Sequence, residues 1–238
     1  MEFRAGSITI RVEGTAVHGI ATIWDTNLLI RAASQIVEAL DPLRDPAVHR
    51  ARHVPQRLPA ALDRLQSTSV AMSICETTGR RLHRFSWVNE WRESANASGV
   101  PLGIELILPD WFYVGVLDAA LRLTIDPAYF RLKGGIERWL YRLVQKHCGK
   151  QPDSWQFDCR HLYHKSGSAA RFSDFAYYLR TLVARQSLPG YVLGIEQMLD
   201  DGQELLTFRP VLHVPAFYHE ALIWLPAHNA EAPQSCPK

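Results

Sequence analysis

DCRHLYHKSGSAARFSDFAYYLRTLVARQSLPG, residues 158–190, carries the clearest helix-turn-helix pattern in the chain. Asp158 is placed to cap a short helix through 159–165, and Ser166, Gly167 and Ser168 supply a tight turn of helix-turn-helix type. A second helix follows with Phe172, Phe175, Ala176, Leu179, Leu182 and Val183 on its inner face, broken at 188–190 by Leu-Pro-Gly. Downstream, 191–199 and 203–210 read as a hairpin turned by Asp201 and Gly202. Upstream, Ile136, Trp139, Leu140, Leu143 and Val144 mark an amphipathic helix. It starts after Gly134 and Gly135, stops at Gly149, and is expected to carry Arg138, Arg142 and Lys146 outward. Helix, short strand, helix, turn, helix and hairpin in that order is the plan of a winged helix.

The first half reads as a looser version of the same plan. Residues 7–12 and 18–24 are expected strands around a turn at Glu13 and Gly14, and Asp25 or Thr26 is expected to cap a helix over 27–40. The apolar positions Leu28, Leu29, Ala32, Ile36 and Leu40 fall on one face of that helix. From 41 to 59 the periodicity collapses into a Pro- and Arg-rich run. A helix at 60–66, strands at 67–76 and 81–91, a loop at 94–103 and a strand at 103–108 follow. The expected fold class is α+β, a tandem winged helix: a first unit over 1–118, a second over 119–210, and a tail, 211–238, with no assignable structure.

Composition sets the outer limits. An apolar share of 47% with 21% charged residues fits a packed soluble chain and excludes dominant disorder. No run of 18 uncharged apolar residues occurs, so no membrane partner is expected, and four irregularly spaced cysteines point to a reducing cytoplasm. The net charge of +2 hides an asymmetry. Residues 122–185 hold twelve Lys/Arg against five acids, or +7, while the remainder holds fourteen bases against nineteen acids. A contiguous basic region is the footprint of a polyanion-binding face, double-stranded DNA above all. The DNA-binding candidates are Ser168, Arg171, Ser173, Tyr177 and Arg180 on the exposed side of the 172–183 helix, Lys165 and Arg185 as flanking phosphate contacts, Ser166 in the turn, and Arg138 and Arg142 on the upstream helix. The hairpin carries Glu196, Asp200, Asp201 and Glu204, so its acidic tip is not expected to grip the DNA backbone.

Catalysis finds no foothold. Cys148, Cys159, His161 and His164 do not follow a zinc spacing, and surface histidines beside phosphate are the simpler reading. No His-x-His occurs to serve a metal-dependent nicking tyrosine, and no G-x-x-x-x-G-K-[ST] loop occurs to hold ATP. The expectation is a protein that is not an enzyme, with no cofactor and no metal.

An extended series of motifs resembles one family. WDTNLLIRAASQIVEA (24–39), AALDRLQSTSVAMSI (60–74), HRFSWVNEW (83–91), GIELILPDWFY (103–113), LTIDPAYFRLKGGIERWLYRLVQKH (123–147), FDCRHLYHKSGS (157–168), and FAYYLR with LPGYVLGIE (175–196) resemble the bacterial plasmid replication initiator protein A family over roughly 8–40 and 60–210. The resemblance implies a double winged-helix initiator that binds repeats at a plasmid origin and helps to load host replication proteins. It also implies that the turn and helix beginning at Ser166 are the DNA-reading element.

The match breaks at PLRDPAVHRARHVPQRLP (42–59), where the family carries a sequence much like PYEILRFIGRGT. Codons can be chosen for 43–53 whose reading from the second nucleotide returns YEILRFIGRG, so 42–59 is read as an out-of-frame version of the first unit's middle. A divergent linker is the alternative. Loss of the segment's large apolar side chains costs about 2–5 kcal/mol each, which predicts a poorly packed first unit beside an intact second one. The expected function is a plasmid replication initiator without catalysis. An autoregulatory repressor acting as a homodimer, and a partly defective remnant binding DNA or protein non-specifically, stand as alternatives.

Overall fold

A computed structural model describes residues 1–5, 8–40, 58–76, 79–99, 101–148, 155–197, 203–211 and 221–224. The chain is a mixed α+β protein of helices and antiparallel sheets that divides into two compact units, one of Met1–Arg122 with Leu222–Lys238 and one of Leu123–Ala221. Among the described residues no helix is long and apolar enough to cross a membrane.

The first unit opens with β1 (Glu2–Ala5) and β2 (Ile8–Glu13), followed by α1 (Thr26–Ala39), α2 (Leu58–Ser67), β3 (Ser69–Glu76) and β4 (Gly79–Ser86). Four strands pair in the order β1-β2-β3-β4, with Ile10 opposite Met72 and Met72 opposite His83. A separate hairpin, β5 (Glu90–Ala95) with β6 (Pro101–Ile107), leads into α3 (Asp110–Leu117). Leu29, Ala33, Leu62, Leu65, Val88, Phe112 and Val116 form the core, drawn from all three helices and the turn before β5.

Several expectations for this unit change. Residues 18–24 form no strand: Thr15 bridges Gly19, and the Ala21 N–H donates to Thr68 Oγ1 instead of to a ladder. Asp25 does not cap α1 with its side chain. Its carboxylate is 3% exposed and accepts from the Thr22 N–H and hydroxyl and from Arg64 Nε and Nη2 at 2.9 and 2.6 Å, tying the start of α1 to α2. Leu40 is exposed at the end of α1, whose buried arc is Leu29, Ile30, Ala32 and Ala33. Helix α2 starts at Leu58, two residues early, with Pro59 in a first turn that needs no N–H from it. The expected strand at 81–91 is two, because the chain turns at Trp87–Asn89 where Val88 plunges into the core. The 94–103 loop shrinks between β5 and β6. The proposed out-of-frame segment, 42–59, lies outside the described residues apart from its last two positions, Leu58 and Pro59.

The second unit runs β7 (Arg122–Ile125), a 3-10 turn at Pro127–Arg131, α4 (Gly135–Cys148), β8 (Trp155–Asp158), α5 (Cys159–Ser166), α6 (Phe172–Arg185), β9 (Tyr191–Gln197) and β10 (Glu204–Pro210). Its sheet is ordered β8-β10-β9, so the strand before the helix pair lies beside the second hairpin strand. In the first unit β2 lies beside β3, the first strand of its hairpin, so the two sheets are not ordered alike. Leu140, Tyr141, Val144, Leu162, Phe175, Leu179, Leu182, Leu206 and Phe208 fill the core of the second unit. In the tail, Ala221–Trp224 is a strand, β11.

The joint between α6 and β9 is made by one side chain. Gln186 takes a left-handed backbone at φ 48°, and its amide donates to the carbonyls of Val183 and Leu193 and accepts from the Leu193 N–H. The end of the helix is thereby fastened to the first hairpin strand.

Candidate nucleic-acid interface

The turn that orients α6 is satisfied from within. Asp158 caps α5 by accepting from the Arg160 and His161 N–H groups, and Gly167 ends it at φ 64°, a conformation that favours glycine. Ser166 Oγ donates to the Tyr163 carbonyl and accepts from the Ser168 N–H, while the Ser168 hydroxyl accepts from the Ala170 N–H. Tyr163 closes the loop by donating its hydroxyl to the Ala170 carbonyl at 2.8 Å. Ser166 and Ser168 therefore act here as turn-builders, with their oxygens engaged.

Beyond the turn, α6 buries Phe175, Ala176, Leu179 and Leu182 and leaves the opposite side in solvent. Arg171, at the N-terminal boundary, is exposed and makes no ion pair within the described residues. Ser173 is exposed beside Asp174, Tyr177 is 71% exposed, and Arg185 is exposed in the last turn. Arg180 lies on the same exposed side but is engaged: Nε and Nη2 donate to the two oxygens of Glu204 at 3.0 and 2.7 Å. The hydrogen bond it donates to Glu204 raises the arginine's pKa. Glu204 is thus a neutralised acid, whereas Asp200 and Asp201 lie outside the described residues.

Two candidates do not face outward as expected. Arg138 is 3% exposed, its guanidinium donating to the carbonyls of Leu132 and Phe130 at 2.9 Å each, above the Tyr129 ring. It ties α4 to the 3-10 turn. Arg142, one turn further on the same side, is half-buried with its Nε unpartnered. Burial first and the Arg138 charge second lower its pKa, while Tyr129 pulls the other way. Of the three basic residues expected on the outer face of α4, only Lys146 is exposed. Lys165 is exposed, with its ammonium 5.6 Å from the centre of the Phe157 ring. Burial and the charge of Lys146 lower its pKa.

Cys148 and Cys159 are free, buried thiols, and burial pushes Cys159 up to about 11. Among the described residues no three His, Cys, Asp or Glu side chains are gathered as a metal site would need.

The model of replication initiator protein A matches residues 1–193, most of the chain. A protein of Wigglesworthia glossinidia brevipalpis named for a role in replication is 26% identical over 208 residues, covering 79% of this chain and 74% of that protein. Among solved structures, domains 2-3 of RctB superpose with a TM-score of 0.53 at 12% identity, covering 89% of this chain and 91% of the other, a likeness of fold. On the strength of a match running from the first strand into β9, the chain belongs to the replication initiator protein A family.

Proposed function

We propose that this chain starts plasmid replication by binding repeated duplex sites at an origin, without catalysing a reaction. The observation that carries the reading is α6, held by a closed turn in the +7 region, with Arg171, Ser173 and Tyr177 in solvent and a hairpin following it. We read both units as winged helices, the second the more regular, with α6 as the recognition helix and β9–β10 as its wing. An arginine at a helix N-terminus reaches guanine O6 and N7 or a phosphate, and a protruding tyrosine adds a further phosphate or base contact. Arg185 supplies a flanking phosphate contact. Arg180 braces the helix to the wing through Glu204, and Arg138 is structural. Family membership supports the initiator role; the origin repeats, host replication proteins and a homodimer are the partners this function calls for.

A gel-shift titration over a salt series, with origin repeats against a scrambled duplex, tests this. Preference for the repeats with a steep salt slope is expected. A steep slope without preference would remove sequence reading, and preference for an inverted over a direct repeat would point to the autorepressor. Absence of binding at low salt would end the DNA reading.

A further inference from the structure

The second unit carries another surface that α6 does not explain. At the C-terminal turn of α4, His147 packs against Trp155 at 5.3 Å and Phe157 at 4.9 Å between ring centres. Phe157 in turn stacks with His161 at 6.0 Å and an interplanar angle of 13°. Four rings therefore run continuously from α4 across β8 to α5. The inner ring, Phe157, is anchored on the buried Phe208, and the two ends of the run, Trp155 at 37% exposure and His161, face solvent. Trp155 packs one part of its ring on His147 and keeps about a third of its surface in solvent on an edge strand, where a large aromatic can still take a stacking partner.

Two exposed lysines stand beside these rings among the described residues. Lys146 and Lys165 are exposed, and the Lys165 ammonium lies over Phe157. Burial lowers His147 to about 4, with the Lys165 and Lys146 charges pushing the same way. Asp158, the acid on β8, has its carboxylate turned to the cap of α5. Contrast Arg180, whose cation is matched by Glu204. Among the described residues neither lysine makes an ion pair, and cations beside partly exposed rings are complementary to a ligand that offers phosphates and unpaired base faces together. A duplex hides its base faces in the stack; a single strand presents them.

We propose that the face made by the end of α4, β8 and α5 binds single-stranded DNA, with bases stacking on Trp155 and His161 and phosphates held by Lys146 and Lys165. This face is built from Trp155, His161, Lys146 and Lys165 rather than from Arg171, Ser173 and Tyr177, which carry the duplex reading, so the two can be tested with separate variants. An origin-binding protein with both surfaces could hold a strand released from the duplex it recognises.

Fluorescence anisotropy with a labelled twelve-nucleotide dT oligomer (dT12), set against a duplex and against rU12, tests the proposal on the full chain. Trp155→Ala is expected to weaken dT12 binding about tenfold through loss of one stacking contact while leaving duplex affinity within about twofold. Lys146→Gln combined with Lys165→Gln involves no core residue, and is expected to flatten the single-strand salt slope by about 1.4. In the converse control, Arg171→Ala with Tyr177→Ala lowers duplex affinity and spares dT12. Wild-type dT12 affinity and slope in both sets of variants would overturn the proposal, as would absence of dT12 binding by the parent chain at low salt. Equal losses on duplex and dT12 would assign the face to duplex binding, and tighter binding of rU12 would reassign it to RNA; either result overturns the proposal as stated.

Discussion

Replacing Glu204 with glutamine separates two roles for Arg180, a brace within the fold and a contact to DNA. Both oxygens of Glu204 hold the Arg180 guanidinium, at 3.0 and 2.7 Å, so its charge is neutralised before any phosphate arrives. Glutamine keeps the size of the side chain and removes the charge; the pair lost is half-exposed on the arginine side and is worth about 1 kcal/mol or less. The freed cation stands on the solvent side of α6 and adds one site of counterion release, steepening log K against log salt by about 0.9. Lowering salt fourfold should therefore widen the variant's advantage in duplex affinity over the parent about 3.5-fold. Anisotropy with a labelled duplex across the salt series measures this, with a thermal melt to verify that the fold survives. Arg180→Ala is the reference and should leave the slope almost unchanged. An unaltered slope in Glu204→Gln, or a slope lowered by about 0.9 in Arg180→Ala, refutes the reasoning. The second result would mean that Arg180 abandons Glu204 for a phosphate when DNA binds.

Other consequences follow from the buried charges. Arg138→Met should destabilise the second unit by about 2–5 kcal/mol, since it strips donors from the Leu132 and Phe130 carbonyls, as read by chemical denaturation. Arg142→Met, which removes a half-buried guanidinium whose Nε has no partner, should be neutral or stabilising and should leave the DNA salt slope alone. In the first unit, burial alone would raise the pKa of Asp25, but hydrogen bonds from Arg64 and Thr22 hold it below its ordinary value. The unfolded chain then binds the proton more readily, so this stabilisation is complete above about pH 4 and is lost as pH falls through the depressed pKa. Asp25→Asn should give an acid-unfolding profile that is flatter below about pH 4, and Arg64→Met should cost about 3–5 kcal/mol by stranding the carboxylate. Cys148 and Cys159 should resist thiol labelling at neutral pH until the chain unfolds, as peptide mapping of the labelled sites would reveal.

Periodicity made the second unit legible. The inner faces of α4 and α6, the cap at Asp158, the turn at Gly167 and the hairpin all follow from spacing and turn chemistry. Helix α3 did not declare itself because DWFYVGVL is apolar nearly all round and offers no stripe to read. Strand β1 went unseen because its partner pairing with β2 is what makes four residues a strand. Arg138 and Arg142 were misplaced for a different reason: a cation on an amphipathic helix is assigned to solvent by default. The acceptors that draw Arg138 inward belong to the Pro127–Arg131 turn, a neighbour supplied by the fold. The same holds for Arg180, whose partner is 24 residues away on β10. The aromatic run from Trp155 to His161 likewise appears only when α4, β8 and α5 are brought together.

Gln186 shows how a single amide can fasten the end of a helix to a sheet. Its side chain donates and accepts opposite Leu193 as a peptide unit would, so the residue that follows the helix behaves as a borrowed rung of the sheet. A left-handed backbone would ordinarily invite glycine or asparagine, but glycine has no amide to offer and asparagine is a methylene short; reach, rather than dihedral comfort, selects the residue. The mechanical result is a helix without a free hinge at its far end. Side chains on the exposed side of α6 are therefore carried by a helix whose far end is set by the sheet beside it.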